Sequence, residues 1–217
     1  AVVLWWITSG YLRHRTLWGA TAIVIAWLAA EARYGPRLPA STPLRIDTLA
    51  VGDGTCHILR SGGDAMLWDC GSMRPGAGRW LIPRAARALG VWKTPVVVLT
   101  HPNFDHYNAL LDAAGPLGVR AVLLGPRFVA QADQQPGAPA ALLLEGLAAR
   151  GIAIRTVGAG DTLELGRVTI RFLSPPPGAP WALDNDHALV ALASAPGRTP
   201  TLLLTGDIQP DAIHSLI

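Results

Sequence analysis

The chain has 217 residues, half of them apolar, enough for one sizeable core plus an extra segment, and too long for a scaffold that must rely on staples to fold. The net charge of +3 comes from arginine, with Lys93 the single lysine; it permits a phosphate-bearing partner without demanding one, and the basic residues read as scattered, with no nucleic-acid patch. Two cysteines, Cys56 and Cys70, exclude a disulfide framework, while positive mean hydropathy, 15% charged residues and eight tryptophans are greasy values for a soluble domain.

Ala1 to Leu12 and Leu17 to Ala30 are apolar, Trp-bearing stretches parted by Arg13, His14 and Arg15. The second holds fourteen uncharged residues, short of the ~20 that cross a bilayer unaided. On length alone a buried helical hairpin or a signal-like segment competes with a membrane reading. Two arginines between apolar blocks are foreign to a signal peptide, and Trp5, Trp6, Trp18 and Trp27 suit an interfacial belt. Tyr34 to Pro43, dense in proline, reads as a linker.

Short strands are expected at Leu44 to Leu49, Cys56 to Arg60 and Ala65 to Asp69, broken by Gly52, Gly54 and the Gly62-Gly63 turn. In that hairpin Cys56 lies opposite Asp69 and Cys70 points to the other face, so no bridge is expected. Trp80 to Leu89 has helical spacing and stops at Gly90.

Val96 to Leu99 is a β-branched run that reads as a buried strand. At its mouth the chain sets down Thr100, His101, Asn103, Asp105 and His106 before a helical pattern resumes through Leu110 to Leu117. A strand emptying polar residues into a turn above a helix is the usual place for a site in a layered α/β fold. Two imidazoles and a carboxylate within six positions suit zinc or manganese if the backbone turns tightly, as Pro102 and Asn103 allow. The competing reading is a strand-capping His101 with Asp105 as a helix N-cap.

Further strands are expected at Val119 to Leu124, Ile152 to Val157, Thr162 to Leu165, Val168 to Leu173, Ala188 to Ala193 and Thr201 to Leu204. Helices are expected at Ala141 to Arg150 and from Ile208, and loops at Ala130 to Ala140 and Ser174 to Pro180. Grouped strands before and after helices point to two sheets sandwiched by helices.

THPNFDH resembles the His-x-[His/Asp]-x-Asp-His signature of the metallo-β-lactamase fold, in particular the variant found in ComEC-type DNA-uptake channel proteins. VGDGTC at 51 to 56, LWDCG at 67 to 71 and LLLTGDI at 202 to 208 resemble that family in the same order, and DNDHALV at 184 to 190 resembles its Asn-rich segment more loosely. The resemblance implies a four-layer αβ/βα sandwich from Leu44 onward, incomplete at its C-terminal end, preceded by the tail of a membrane helical domain over residues 1–33 and the linker over 34–43. It implies one or two divalent ions, zinc or manganese, that activate water for attack on a phosphodiester. His101 would bind the first ion, Asp105 and His106 would serve the second, and Asp207 would bridge them, with Asn103 at a further ligand position of the signature. Asp105 would also orient the nucleophile, and Asp69 would support the ligands by hydrogen bonding. His187 is a possible further ligand, and Asp53 stands where relatives commonly have Gln.

The activity implied is a nuclease acting on the DNA strand that is not taken up, with DNA, the membrane and other uptake proteins as partners. The location implied is the cell membrane, with the hydrolase domain outside the cytoplasm; Arg13 and Arg15 lean the same way. The alternatives are a hydrolase of RNA or a lactone on the same fold, or a binding module whose metal site has decayed. Three departures bear on this: Asn103 replaces a charged or imidazole ligand, Asn108-Ala109 replaces a Gly-Gly pair, and the last histidine of the family pattern would lie beyond Ile217.

Overall fold

The computed structural model describes residues 15–30, 38–39, 41–181, 183–197 and 202–216. It divides into two units, residues 1–37 and residues 38–217. In the first, helix α1 spans 15–30, with Trp18, Ile23, Trp27 and Leu28 exposed. Among the described residues no helix is long and apolar enough to cross a membrane, so the expectation of membrane-type helices ahead of the domain finds no support here. The segment through Trp5, Trp6 and Arg13, and half of the linker expected at 34–43 (34–37 and 40), lie outside the described residues.

In the second unit β1 (Arg45–Thr48), β2 (His57–Ser61) and β3 (Asp64–Trp68) pair antiparallel. β4 (Val96–Leu99), β5 (Ala121–Leu124) and β6 (Ala153–Thr156) then continue the sheet in parallel, giving the order β1-β2-β3-β4-β5-β6. A parallel strand covered on both faces needs an unbroken apolar run, which VVVL and AVLL supply. Val97, Leu99, Val122 and Leu124 face one core, and Val98 and Leu123 face another.

The first core is closed by helices α2 (Ile82–Ala88), α3 (Phe104–Tyr107), α4 (Leu110–Leu117), α5 (Pro126–Gln134) and α6 (Pro139–Ala149). The second core lies between this sheet and an antiparallel one in the order β10-β9-β8-β7, formed by β7 (Thr162–Leu165), β8 (Val168–Ser174), β9 (Val190–Ser194) and β10 (Leu202–Leu204). Trp68 stacks on Phe172 across that interface, with ring centroids 6.2 Å apart. Helix α7 (Pro210–Leu216) packs against β8. The class is therefore mixed α/β with two sheets face to face.

Two expectations need correction. The loop expected at Ala130 to Ala140 is mostly helix: Pro126 starts α5 at its first turn, Phe128 and Ala132 bury into the first core, and only 135–138 separate α5 from α6. Cys70 does not turn away from Cys56. Asp69 takes φ 56°, a left-handed residue that breaks the alternation of the strand, so both thiols enter the first core and hydrogen-bond to each other as free cysteines. That hydrogen bond, together with burial, raises the Cys56 thiol well above its ordinary value.

Candidate metal centre

The site grows from the mouth of β4. Thr100, His101 and His106 are almost completely buried there, the histidines flanking the turn into α3 with ring centroids 4.2 Å apart. Asp207 arrives from the other sheet, just after β10. One ligand atom from each of His101, His106 and Asp207 lies within 4.8 Å of the others, and His106 Nε2 is 3.3 Å from Asp207 Oδ2. Asp105, in the first turn of α3, sets Oδ2 3.8 Å from the same nitrogen. Both carboxylates are roughly half exposed, so the cluster opens to solvent on their side.

Behind the histidines, Asp69 is the organiser. Its buried carboxylate accepts from the Thr100 backbone N–H at 2.8 Å, from the Thr100 hydroxyl at 2.9 Å and from His106 Nδ1 at 2.9 Å. The His106 tautomer with the proton on Nδ1 leaves Nε2 free to face Asp207. Because the Thr100 hydroxyl proton is directed at Asp69, its oxygen accepts from His101 Nδ1–H at 2.9 Å, and the same tautomer follows for His101. His101 Nε2 is then a buried lone pair with no hydrogen-bond partner among the described residues. An orphaned imidazole nitrogen beside a second imidazole and a carboxylate fits a divalent cation with a taste for nitrogen and oxygen donors.

Charge agrees with the geometry. Burial, then the neighbouring His106, lowers the pKa of His101, which keeps it neutral. Burial also works to lower His106, but the hydrogen bond and charge of Asp69, with Asp207 and Asp105, outweigh it and the net shift is upward.

Backbone packing fixes where Asp105 and His106 sit. A Cβ on Gly71 would overlap the Asp105 carbonyl, and one on Gly54 would come 2.8 Å from it. Thr55 N–H donates to that carbonyl at 3.1 Å and Cys70 N–H to the His106 carbonyl at 2.8 Å. The VGDGTC and LWDCG stretches thus form a cradle for the central turn, and glycine is required where two backbones touch.

Asn103 donates through Nδ2 to Asn185 Oδ1 at 2.8 Å. Asn108 does not crowd the centre; its amide grips Ser72, accepting from its N–H and donating to its carbonyl. The structure leaves His187 outside the converging set, with Nε2 against the Trp181 carbonyl at 2.8 Å. Asp53 is likewise outside, on an exposed turn.

Two residues acquire roles that the sequence did not signal. One is Thr100, the relay to His101. The other is Asp186, buried in the short turn Asn185–His187, whose Oδ1 accepts from the N–H groups of Gln209 and Ala212 at 3.1 Å each. It ties down the segment that carries Asp207. The only available hint was a polar DNDH run ahead of an apolar strand.

Histidines and carboxylates converging between two packed sheets give this α/β sandwich a cluster that could hold a metal ion. The family model of the Metallo-beta-lactamase superfamily matches residues 49–209, and the chain belongs to that superfamily. Members of the superfamily bind divalent metals, usually zinc. No curated protein matches the sequence significantly. Among solved structures, a metallo-beta-lactamase from Staphylococcus aureus is 14% identical, with a TM-score of 0.49, over 76% of this chain and 42% of its own. The subclass B3 enzyme MEM-A1 from a soil metagenome is 17% identical, with a TM-score of 0.48, over 69% and 55%. BJP-1, a subclass B3 enzyme of Bradyrhizobium japonicum, is 15% identical, with a TM-score of 0.49, over 73% and 60%. The chain thus spans roughly half the length of the structures it matches.

Proposed function

We propose that the chain is the hydrolase-like domain of a ComEC-type DNA-uptake protein and hydrolyses phosphodiesters of the strand that is not transported, with the help of zinc or manganese. The supporting observation is the convergence of His101, His106 and Asp207 from two sheets, in a chain whose four motif stretches keep the order of that family. Asp105 and Asp207 flank His106 Nε2 on the open side, where a substrate would enter. In this reading the imidazoles and Asp207 hold the ion. Asp105 orients the attacking water and takes its proton, and Asp69 and Thr100 fix the rings. When bound, the ion supplies a Lewis acid that lowers the pKa of water and stabilises charge developing at phosphorus. Other uptake proteins as partners, and a membrane location with this domain outside the cytoplasm, belong to the same proposal and rest on the resemblance and on the apolar, Trp-bearing residues 1–30.

A second reading, a metal-deficient binding module, is favoured by one observation: Asn103 offers a carboxamide where the family has a stronger ligand, and Asn185 holds it. Metal analysis after loading with zinc or manganese, with cleavage of single-stranded DNA, RNA and a lactone assayed side by side, separates the readings. The nuclease reading expects bound metal and DNA cleavage that is abolished in Asp105→Ala. Cleavage of RNA or lactone alone moves the substrate class, and a protein that retains no metal overturns the hydrolase.

A further inference from the structure

Between Asp69 and Asp105 the sequence contains no carboxylate, yet it carries Arg74, Arg79, Arg84, Arg87 and Lys93. The whole chain nets only +3, so the remainder is net negative and the positive charge is concentrated in this stretch. Within it Arg84 and Arg87, three residues apart on α2, fall on neighbouring positions of one helix side. The stretch forms the loop after β3, a π-helical turn at Ala77–Leu81, helix α2 and the approach to β4. All five cations are exposed, and none forms an ion pair among the described residues.

Two exposed indoles are interleaved with them. The Arg84 guanidinium lies over the ring of Trp80 at 5.5 Å, and Arg87 over that of Trp92 at 5.9 Å. Arg74, Trp80 and Arg84 line one hollow of about 490 Å³. At its other end the stretch meets the metal centre: Gly71 lies against the Asp105 carbonyl and Ser72 is gripped by Asn108. The nearest acid on the packed helix is Asp112, whose Cβ would be 2.9 Å from a Cβ on Gly78.

We propose that this face is a track for single-stranded nucleic acid, in which the arginines follow the phosphates, the Trp80 and Trp92 rings stack on unpaired bases, and the strand leads toward the metal centre. Cations interleaved with aromatic rings, and outnumbering the neighbouring acid Asp112, complement a backbone of regularly spaced phosphates with exposed bases between them. A lipid surface would be matched by a continuous apolar face with cations at its rim, and here rings and cations alternate. The inference rests on the phosphodiester reading only for where the strand goes, because binding to the track needs no metal.

The test is fluorescence anisotropy of a labelled oligothymidylate with the full chain in EDTA, over a range of salt concentrations, beside vesicles containing phosphatidylglycerol. Trp80→Ala is expected to weaken oligonucleotide binding roughly tenfold, as for the loss of one stacked base. Arg84→Ala is expected to weaken it and to reduce the salt slope by about 0.7, the value for one phosphate contact on a single strand. Arg155→Ala removes the same charge from β6 and leaves affinity within about twofold, which separates the track from positive charge in general. Thermal melts of the variants confirm that exposed substitutions leave the fold intact. No binding by the wild type, equal binding by Trp80→Ala and Arg84→Ala, or vesicle binding without oligonucleotide binding would each overturn the track. Binding without cleavage once metal is added would overturn the hydrolase reading and leave the track standing.

Discussion

The metal centre has two halves, and they are built unequally. His101 and His106 stand at the mouth of β4, an interior strand of the six-stranded sheet, and each is 1% exposed. Asp207 follows β10, a three-residue strand that among the described residues pairs with β9 alone, and its side chain is 49% exposed. A threonine follows the strand in both halves. Thr100 is bonded to Asp69 and stands 2.9 Å from His101 Nδ1, whereas the Thr205 hydroxyl reaches only its neighbour's carbonyl, Gly206 O, at 3.2 Å. The first half is held by hydrogen bonds among its own residues. The second depends on Asp186 for its position, so ion affinity is set mainly by the first half and completed by the second.

The largest effect is expected at Asp69. Asp69→Ala leaves the Thr100 N–H, the Thr100 hydroxyl and His106 Nδ1–H without their buried acceptor, a loss of at least about 3 kcal/mol of stability by urea unfolding. A loss under about 1 kcal/mol would mean that the first half is not held by this carboxylate. Next comes Thr100→Val, which keeps the shape and removes the relay. Metal affinity, read by competition with a chromophoric chelator, should fall about 10- to 100-fold, and Thr100→Ser should restore it. Failure of the serine variant to rescue would make Thr100 a packing residue only.

How much of this contrast could be read from the sequence follows from the same physics. The first half was legible because its strand is an unbroken β-branched run: the expected limits, Val96 to Leu99, are those of β4, and the polar residues follow directly. Asp207 could be attached to that half only through resemblance, since pairing across two sheets leaves no local pattern. Thr100 and Asp186 acquire their roles from whichever donors face them, and periodicity does not encode that. Cys70 departs from strand alternation because of a single left-handed residue just past β3, Asp69, which reverses the face of the residue after it. Over Ala130 to Ala140 the loop-forming Gln, Gly and Pro residues are overridden because Phe128 and Ala132 have a core to enter. The basic stretch is marked in the sequence less by the spacing of its cations than by the absence of carboxylates between Asp69 and Asp105.

A smaller effect is expected in the second half. Asp186→Ala removes the acceptor for Gln209 N–H and Ala212 N–H, as a lost helix cap does, at about 1 kcal/mol. Metal affinity should fall along with stability because Asp207 loses its anchor, while Asp186→Asn, which keeps an acceptor oxygen, should retain most of both. If affinity is unchanged in Asp186→Ala, then Asp207 is positioned by β10 alone and the two halves are more alike than their burial suggests.

The smallest effect is a pH dependence that divides the first half itself. His106 has a folded pKa raised above its unfolded value, so in EDTA its proton stabilises the fold fully below about 6.5, and this is lost as pH rises through the raised value. His101 has a lowered folded pKa. The unfolded chain therefore takes up a proton near 6.5 that the folded chain refuses, and stability falls as pH drops from there toward the lowered value. The two trends oppose each other. Melting His106→Gln in EDTA between about pH 5.5 and 8.5 should show its deficit against the wild type shrinking as pH rises, and His101→Gln should gain on the wild type as pH falls. Zinc reverses the first trend, because an ion needs the neutral imidazole and must displace the proton that Asp69 and Asp207 favour; stabilisation by metal should therefore increase with pH across the window. Parallel slopes with and without zinc would show that His106 Nε2 does not face the ion.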